Sequence, residues 1–90
     1  MNMNDSFRIS KNVMSRQVGN ETVILDLETG IYFGLDAVGV AIWELLSKGN
    51  SLQRICDDLV AIYDVTPQQL AADVSKLARQ LQEKRLISPA

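Results

Sequence analysis

The sequence predicts an α+β fold, an antiparallel meander of three strands followed by three helices. Three observations carry it. The first third of the chain holds β-rich runs separated by turn residues, Gly19-Asn20 and then Glu28-Thr29-Gly30. The rest carries apolar residues at three- and four-residue spacing, the helical period. Each of these later stretches opens on residues whose side chains cap a helix: Asp36, Asn50-Ser51 and Thr66.

The elements follow in order. Residues 1–5 are polar and read as a loose start. Phe7 to Ile9 suits a short extra edge strand. Asn12 to Val18 and Thr22 to Leu27 flank Gly19-Asn20 as the two arms of a hairpin. After the turn at Gly30, Ile31 to Leu35 forms the third strand. The first helix buries Val38, Ile42, Leu45 and Leu46, with Gly49 just past its end. Trp43, one position off that stripe, is expected as a peripheral core aromatic. The second helix presents Leu52, Ile55, Cys56, Leu59 and either Ile62 or Tyr63. The third opens with Thr66 as cap, Pro67 in the first helical position and Gln69 completing a capping box. Its stripe is Leu70, Val74, Leu77 and Leu81, and Lys84 and Arg85 fall in its last turn, where the helix dipole favours cations. Two helices joined by a short turn beside a small sheet describe a winged helix-turn-helix with the sheet placed first.

Composition narrows the function. Ninety residues, 47% apolar and 22% charged, suit one globular domain spanning 1–90. Net charge is −2, so the surplus of Lys and Arg that a nucleic-acid binder uses against phosphates is missing. The single cysteine permits no intrachain disulfide, which fits a reducing, cytoplasmic setting. No apolar run approaches the ~20 residues of a membrane helix, and the polar N-terminus has no signal-peptide core.

Chemistry is sparse. The chain has no histidine, the commonest general base and metal ligand. Cys56 lies on an apolar stripe without a base beside it and reads as a small buried hydrophobe. No spacing suits a zinc site and no Gly-rich loop suits a phosphate. Asp57-Asp58 are helix neighbours that point apart, as solvated surface residues do. Asp73, in Leu-Ala-Ala-Asp-Val, reads either as solvated helix surface or as a polar contact to a partner. We expect no enzyme, no metal and no cofactor.

The third strand points elsewhere. Ile31 to Leu35 holds neither charge nor proline, the usual means of blunting a sheet edge. Alternation puts Ile31, Phe33 and Leu35 on one face and Tyr32 and Gly34 on the other. As the last strand of a meander it is an edge, open to an extended peptide that adds as a further strand. Gly34 leaves room for close approach of that chain. Cover by the chain's own N-terminal segment, or dimerisation, are the alternatives.

The order of motifs resembles the PqqD-like family, the RiPP recognition elements, over about residues 13–87. The matching stretches are Ile24 to Leu46 (ILDLETGIYFGLDAVGVAIWELL), Ser51 to Val65 (SLQRICDDLVAIYDV) and Ala71 to Ile87 (AADVSKLARQLQEKRLI). No one motif is diagnostic; the succession is. The resemblance implies a non-catalytic domain that binds the leader of a ribosomal precursor peptide as an added strand, in a groove shared with the third helix. By position, Ile31, Tyr32, Phe33, Gly34 and Leu35 would pair with the leader. Leu70, Asp73, Val74, Lys76 and Leu77 would form the helical wall. Val74 and Leu77 also lie on the apolar stripe, where they suit pure core. Within the family, DLETGIYFGLD is most similar to the stand-alone proteins of lasso-peptide clusters, whose partners are a leader peptidase and a cyclase. The alternative is a chaperone that delivers its precursor to a radical-SAM enzyme. A winged-helix DNA-binding domain is the rival from another class, although the third helix sets Lys76, Arg79, Lys84 and Arg85 against Asp73 and Glu83, a slight excess and not a strong basic stripe. A structural subunit of a larger enzyme, its edge permanently buried, is the remaining reading.

Overall fold

The computed structural model describes residues 2–90. Along the chain run β1 (Phe7–Ile9), β2 (Val13–Val18), β3 (Glu21–Asp26), β4 (Tyr32–Leu35), α1 (Ala37–Ser47), α2 (Leu52–Val60), α3 (Pro67–Glu83) and β5 (Ile87–Pro89). The expected meander is present as an antiparallel sheet in the order β2-β3-β4. The helices follow it, so the α+β winged arrangement stands.

Local chemistry explains the joints. Between β2 and β3, Gly19 has φ +63° and Asn20 stays out of the left-handed region. This is the pattern of a two-residue turn whose twist matches the strands. Between β3 and β4, Gly30 (φ +76°) donates its N–H to the Asp26 carbonyl while the Asp26 N–H donates to the Ile31 carbonyl, 2.8 Å each. That is a glycine bulge, and it places Asp26 opposite Ile31 in a hydrogen-bonded pair. The buried Asp26 carboxylate accepts from the Glu28 N–H and stiffens the turn. All three helix caps behave as expected: Asp36, Ser51 and Thr66 accept from the N–H groups of Gly39, Arg54 and Gln69. The Gln69 side chain does not complete a capping box. It donates instead to Asp73, 2.9 Å away, a favourable pair at four-residue spacing.

The core gathers Ile24 from the sheet, Ile42 and Leu46 from α1, Leu52, Ile55 and Leu59 from α2, and Leu70, Val74 and Leu81 from α3. Trp43 belongs to this core, at 7% exposure, rather than to its periphery. In the second stripe Tyr63 packs on the core and Ile62 is exposed, which settles that choice. Val38 and Leu45 are only partly buried.

The two ends of the chain depart from expectation. α3 stops at Glu83, so Lys84 is its C-terminal cap and Arg85 lies beyond it, neither in the last turn. Arg85 takes the left-handed conformation (φ +60°), while its N–H reaches the Gln82 carbonyl and that of Leu86 reaches Leu81. This reversal, a Schellman motif on a non-glycine residue, turns the chain so that Leu86 and Ile87 enter the core. β5 then pairs antiparallel with β1, Ile9 opposite Ile87 and Phe7 opposite Pro89. The Phe7–Ile9 strand therefore belongs to a separate two-stranded sheet. Residues 2–5, read from sequence as loose, are tied to the body: the Met3 and Asp5 carbonyls accept from the N–H groups of Gln53 and Leu52.

Candidate functional site

The decisive question is which strand edges are taken. β1 is occupied by β5, leaving β4 with β3 on one side and no strand on the other among the described residues. In an antiparallel pair, opposed residues alternate between bonded and non-bonded. The Asp26–Ile31 pair is bonded, so Ile24–Phe33 and Thr22–Leu35 are bonded as well. The main-chain groups of Phe33 and Leu35 are thus spent on β3. Those of Tyr32 and Gly34 face outward, N–H and C=O alike. Of the five residues expected to pair with a guest, these two hold the available groups.

Beside that edge lies an open cleft of ≈ 400 Å³. Its strand wall is Phe33, Gly34 and Leu35; its helical wall is Leu70, Asp73, Lys76, Leu77 and Gln80 of α3. Leu35 and Leu70 are buried at its floor, while Phe33 and Leu77 are half-buried. The rim is polar. Asp73 accepts from Gln69, and the Lys84 ammonium lies 6.0 Å from the centre of the Phe33 ring, a cation–π distance.

Most of the residues singled out in the sequence meet here. Phe33, Gly34, Leu35, Leu70, Asp73, Lys76 and Leu77 line one cleft. Ile31 and Tyr32 sit past its end, with Tyr32 70% exposed on the outer sheet face. Val74 does not reach the cleft: at 0% exposure it is sealed beneath α3 as core. Gly34 is not required by its own surroundings, since a Cβ there would meet nothing within 4 Å. Sequence reasoning missed the end wall from the cap Asp36 and α1 (Val38, Gly39, Ile42) and the α2–α3 connection (Tyr63, Val65). The available signal was connectivity, because only Asp36 separates the end of β4 from the start of α1. Gly39 makes that fit close: a Cβ there would stand 3.2 Å from the Leu35 side chain.

The other outer edge of the three-stranded sheet differs in chemistry. By the same alternation Ser15 and Gln17 of β2 face outward, but the hollow beside them is lined by Arg16, Gln17, Thr22, Glu44 and Ser47 around Val40 and Trp43. Charge beside a strand blunts it as a docking edge. β4 is the bare one.

Cys56, Asp57 and Asp58, weighed from the sequence for chemistry, lie outside the cleft lining. Cys56 is buried in the core, where burial and, secondarily, the Asp57 carboxylate push its thiol pKa up, away from a nucleophilic thiolate. Asp57 accepts from Gln53 and Asp58 pairs with Arg54 at 3.1 Å, so the two carboxylates are ordinary helix-surface groups. No helix of the described residues is long and apolar enough to cross a membrane.

A three-stranded meander with one bare edge above an apolar cleft, backed by a helix-turn-helix, defines a small α+β domain built around an open strand. The chain belongs to the PqqD family, whose model, coenzyme PQQ synthesis protein D, matches residues 21–87. Two solved structures are similar over nearly its whole length. TbiB1 in complex with the TbiA(beta) leader peptide is 41% identical, with a TM-score of 0.80 over 90% of this chain and 94% of that one. Lasso peptide synthetase B1 complexed with the leader peptide is 25% identical, with a TM-score of 0.84 over 93% and 99%. Comparison with curated proteins gave no match.

Proposed function

We propose that this protein binds the leader region of a ribosomally made precursor peptide and presents it to maturation enzymes of the lasso-peptide type, a leader peptidase and a cyclase. It acts without catalysis, in the cytoplasm, as a single domain spanning the chain. The leader adds to β4 as a fourth strand. The outward groups of Tyr32 and Gly34 supply sequence-tolerant main-chain bonds. Leu70, Leu77, Phe33 and Leu35 take apolar leader side chains, while Asp73 and Lys76 meet polar ones. Ordering a flexible leader opposes binding, and burial in the cleft offsets it. Once held, the precursor is at raised effective concentration beside any enzyme that also binds this domain.

The observation that carries this reading is the bare β4 edge beside an apolar cleft, in a chain similar to two proteins solved with leader peptides. Titration of labelled protein with the leader encoded nearest its gene tests it. Amide shifts should concentrate in β4 and along α3 from Leu70 to Gln80. Shifts confined to β2 or to the exposed side of α2 would overturn it. The second reading is a chaperone that serves a radical-SAM enzyme, and the family's description as a coenzyme PQQ synthesis protein supports a role in cofactor synthesis. Co-purification with each class of enzyme separates the two.

A further inference from the structure

We infer that the cleft is polarised by charge and selects an extended peptide with basic residues toward its N-terminal end and acidic residues toward its C-terminal end. This rests on the strand-addition reading. Lys84 stands beyond the lining proper, at the Phe33 end of the cleft, its ammonium 6.0 Å from the centre of that ring. From Phe33 the strand runs on to Asp36, roughly 10 Å further at ~3.3 Å per residue, so the strand wall passes from Lys84 toward a carboxylate. That carboxylate is held in place by the Gly39 N–H at 2.8 Å. On the opposite wall, Asp73 precedes Lys84 by about 16 Å of helix at ~1.5 Å per residue, and Gln69 holds it. Lys76 stands between them on the same wall. Along α3 the charge thus passes from Lys84 near Phe33 through Lys76 to Asp73, and along the strand it ends on the Asp36 carboxylate.

Among the described residues the one ion pair is Arg54–Asp58, on α2. None ties up Asp36, Asp73, Lys76 or Lys84, although Lys76, one turn from Asp73, offsets part of that carboxylate's field. The two ends lie further apart than the screening length of ~8 Å in physiological salt, so a guest meets them as separate sites. Antiparallel addition, the more stable ladder, sets the guest's N-terminal end beside Asp36 and Asp73 and its C-terminal end beside Lys84. Charge complementarity of this kind fixes register and direction more than it adds affinity.

Three synthetic peptides test the inference. They share an alternating Val/Thr/Tyr centre. One carries lysines before it and glutamates after it, the second has these charges exchanged, and the third has glutamines at both ends. Fluorescence anisotropy at low salt should show the first bound roughly five-fold tighter than the second, the scale of one or two exposed ion pairs. The preference should shrink as salt is raised. Lys84→Glu and Asp73→Lys should each narrow the ratio, and together invert it, while the circular dichroism and melting temperature of each variant report on folding. Equal binding of the two charged peptides, or preference for the exchanged one, overturns the charge order and leaves strand addition standing. Failure of all three peptides to bind overturns strand addition itself, and the charge order with it.

Discussion

Val74 and Leu77 sit one turn apart on α3 with opposite fates: Val74 is fully buried and Leu77 lines the cleft half-exposed. Both lie on one apolar stripe, so periodicity alone could not tell floor from core. Mutation can. Val74→Ala should lower stability by about 1–3 kcal/mol, on the scale of core truncations, and leave the leader affinity of the folded protein unchanged. Leu77→Asp should weaken binding at least ten-fold with a smaller loss of stability, because it puts a charge where an apolar guest side chain would lie. Paired denaturation and anisotropy titrations check both. Cys56 makes a pH prediction. Burial raises its thiol pKa in the folded state, so the folded chain holds that proton more tightly than the unfolded one. The associated stability is complete below the ordinary thiol pKa, about 8.5, and is lost as pH rises from there toward the folded value. The urea midpoint should therefore fall more steeply above about pH 8.5 in the wild type than in Cys56→Ala. Parallel curves would contradict the assignment.

At the scale of the element, β4 has its two sets of main-chain groups committed differently, and proline separates them. Proline at Phe33 removes an N–H engaged with β3, so Phe33→Pro should damage the sheet itself. Proline at Gly34 removes one that faces outward. Gly34→Pro should keep the circular dichroism of the parent yet lose roughly ten-fold in leader affinity, a main-chain bond and its close approach together. Equal affinity in Gly34→Pro would move docking away from this edge. How far such detail could be seen in the sequence depended on its range. The meander, the helices and their caps follow from period, turn residues and side-chain oxygens within a few positions of one another. The β1–β5 sheet does not. Its strands are three residues each, at opposite ends of the chain, and Leu86-Ile87 continues the apolar rhythm of α3 until Arg85 turns it. The site divided along the same line. An uncharged, proline-free Ile31 to Leu35 announced a bare edge. Val38 and Ile42 look like core on their own helix, and only the packing of α1 against β4 brings them to the cleft wall.

For the whole molecule, the arrangement joins binding to stability. A chain of 90 residues with a radius of gyration of 12.5 Å has little core to spare. It nonetheless leaves apolar surface open at Phe33 and Leu77 and a strand edge unpaired. A guest that completes the sheet supplies the missing layer, and only the folded state offers it. Leader at a hundred times its dissociation constant should then add about 2.7 kcal/mol, a rise in melting temperature of roughly 10–20 °C for a domain this size. Hydrogen exchange tells whether the gain is placed as argued. With leader present, the amides of Tyr32 and Gly34 should slow beyond the global change. Those of Ser15 and Gln17, outward on the opposite edge of the same sheet, should follow it only. The comparison is internal, because both edges share one sheet and one global stability. Excess protection at Ser15 and Gln17 instead would mean that the guest pairs with β2, beside its charged hollow, and that the bare edge at β4 serves some other end.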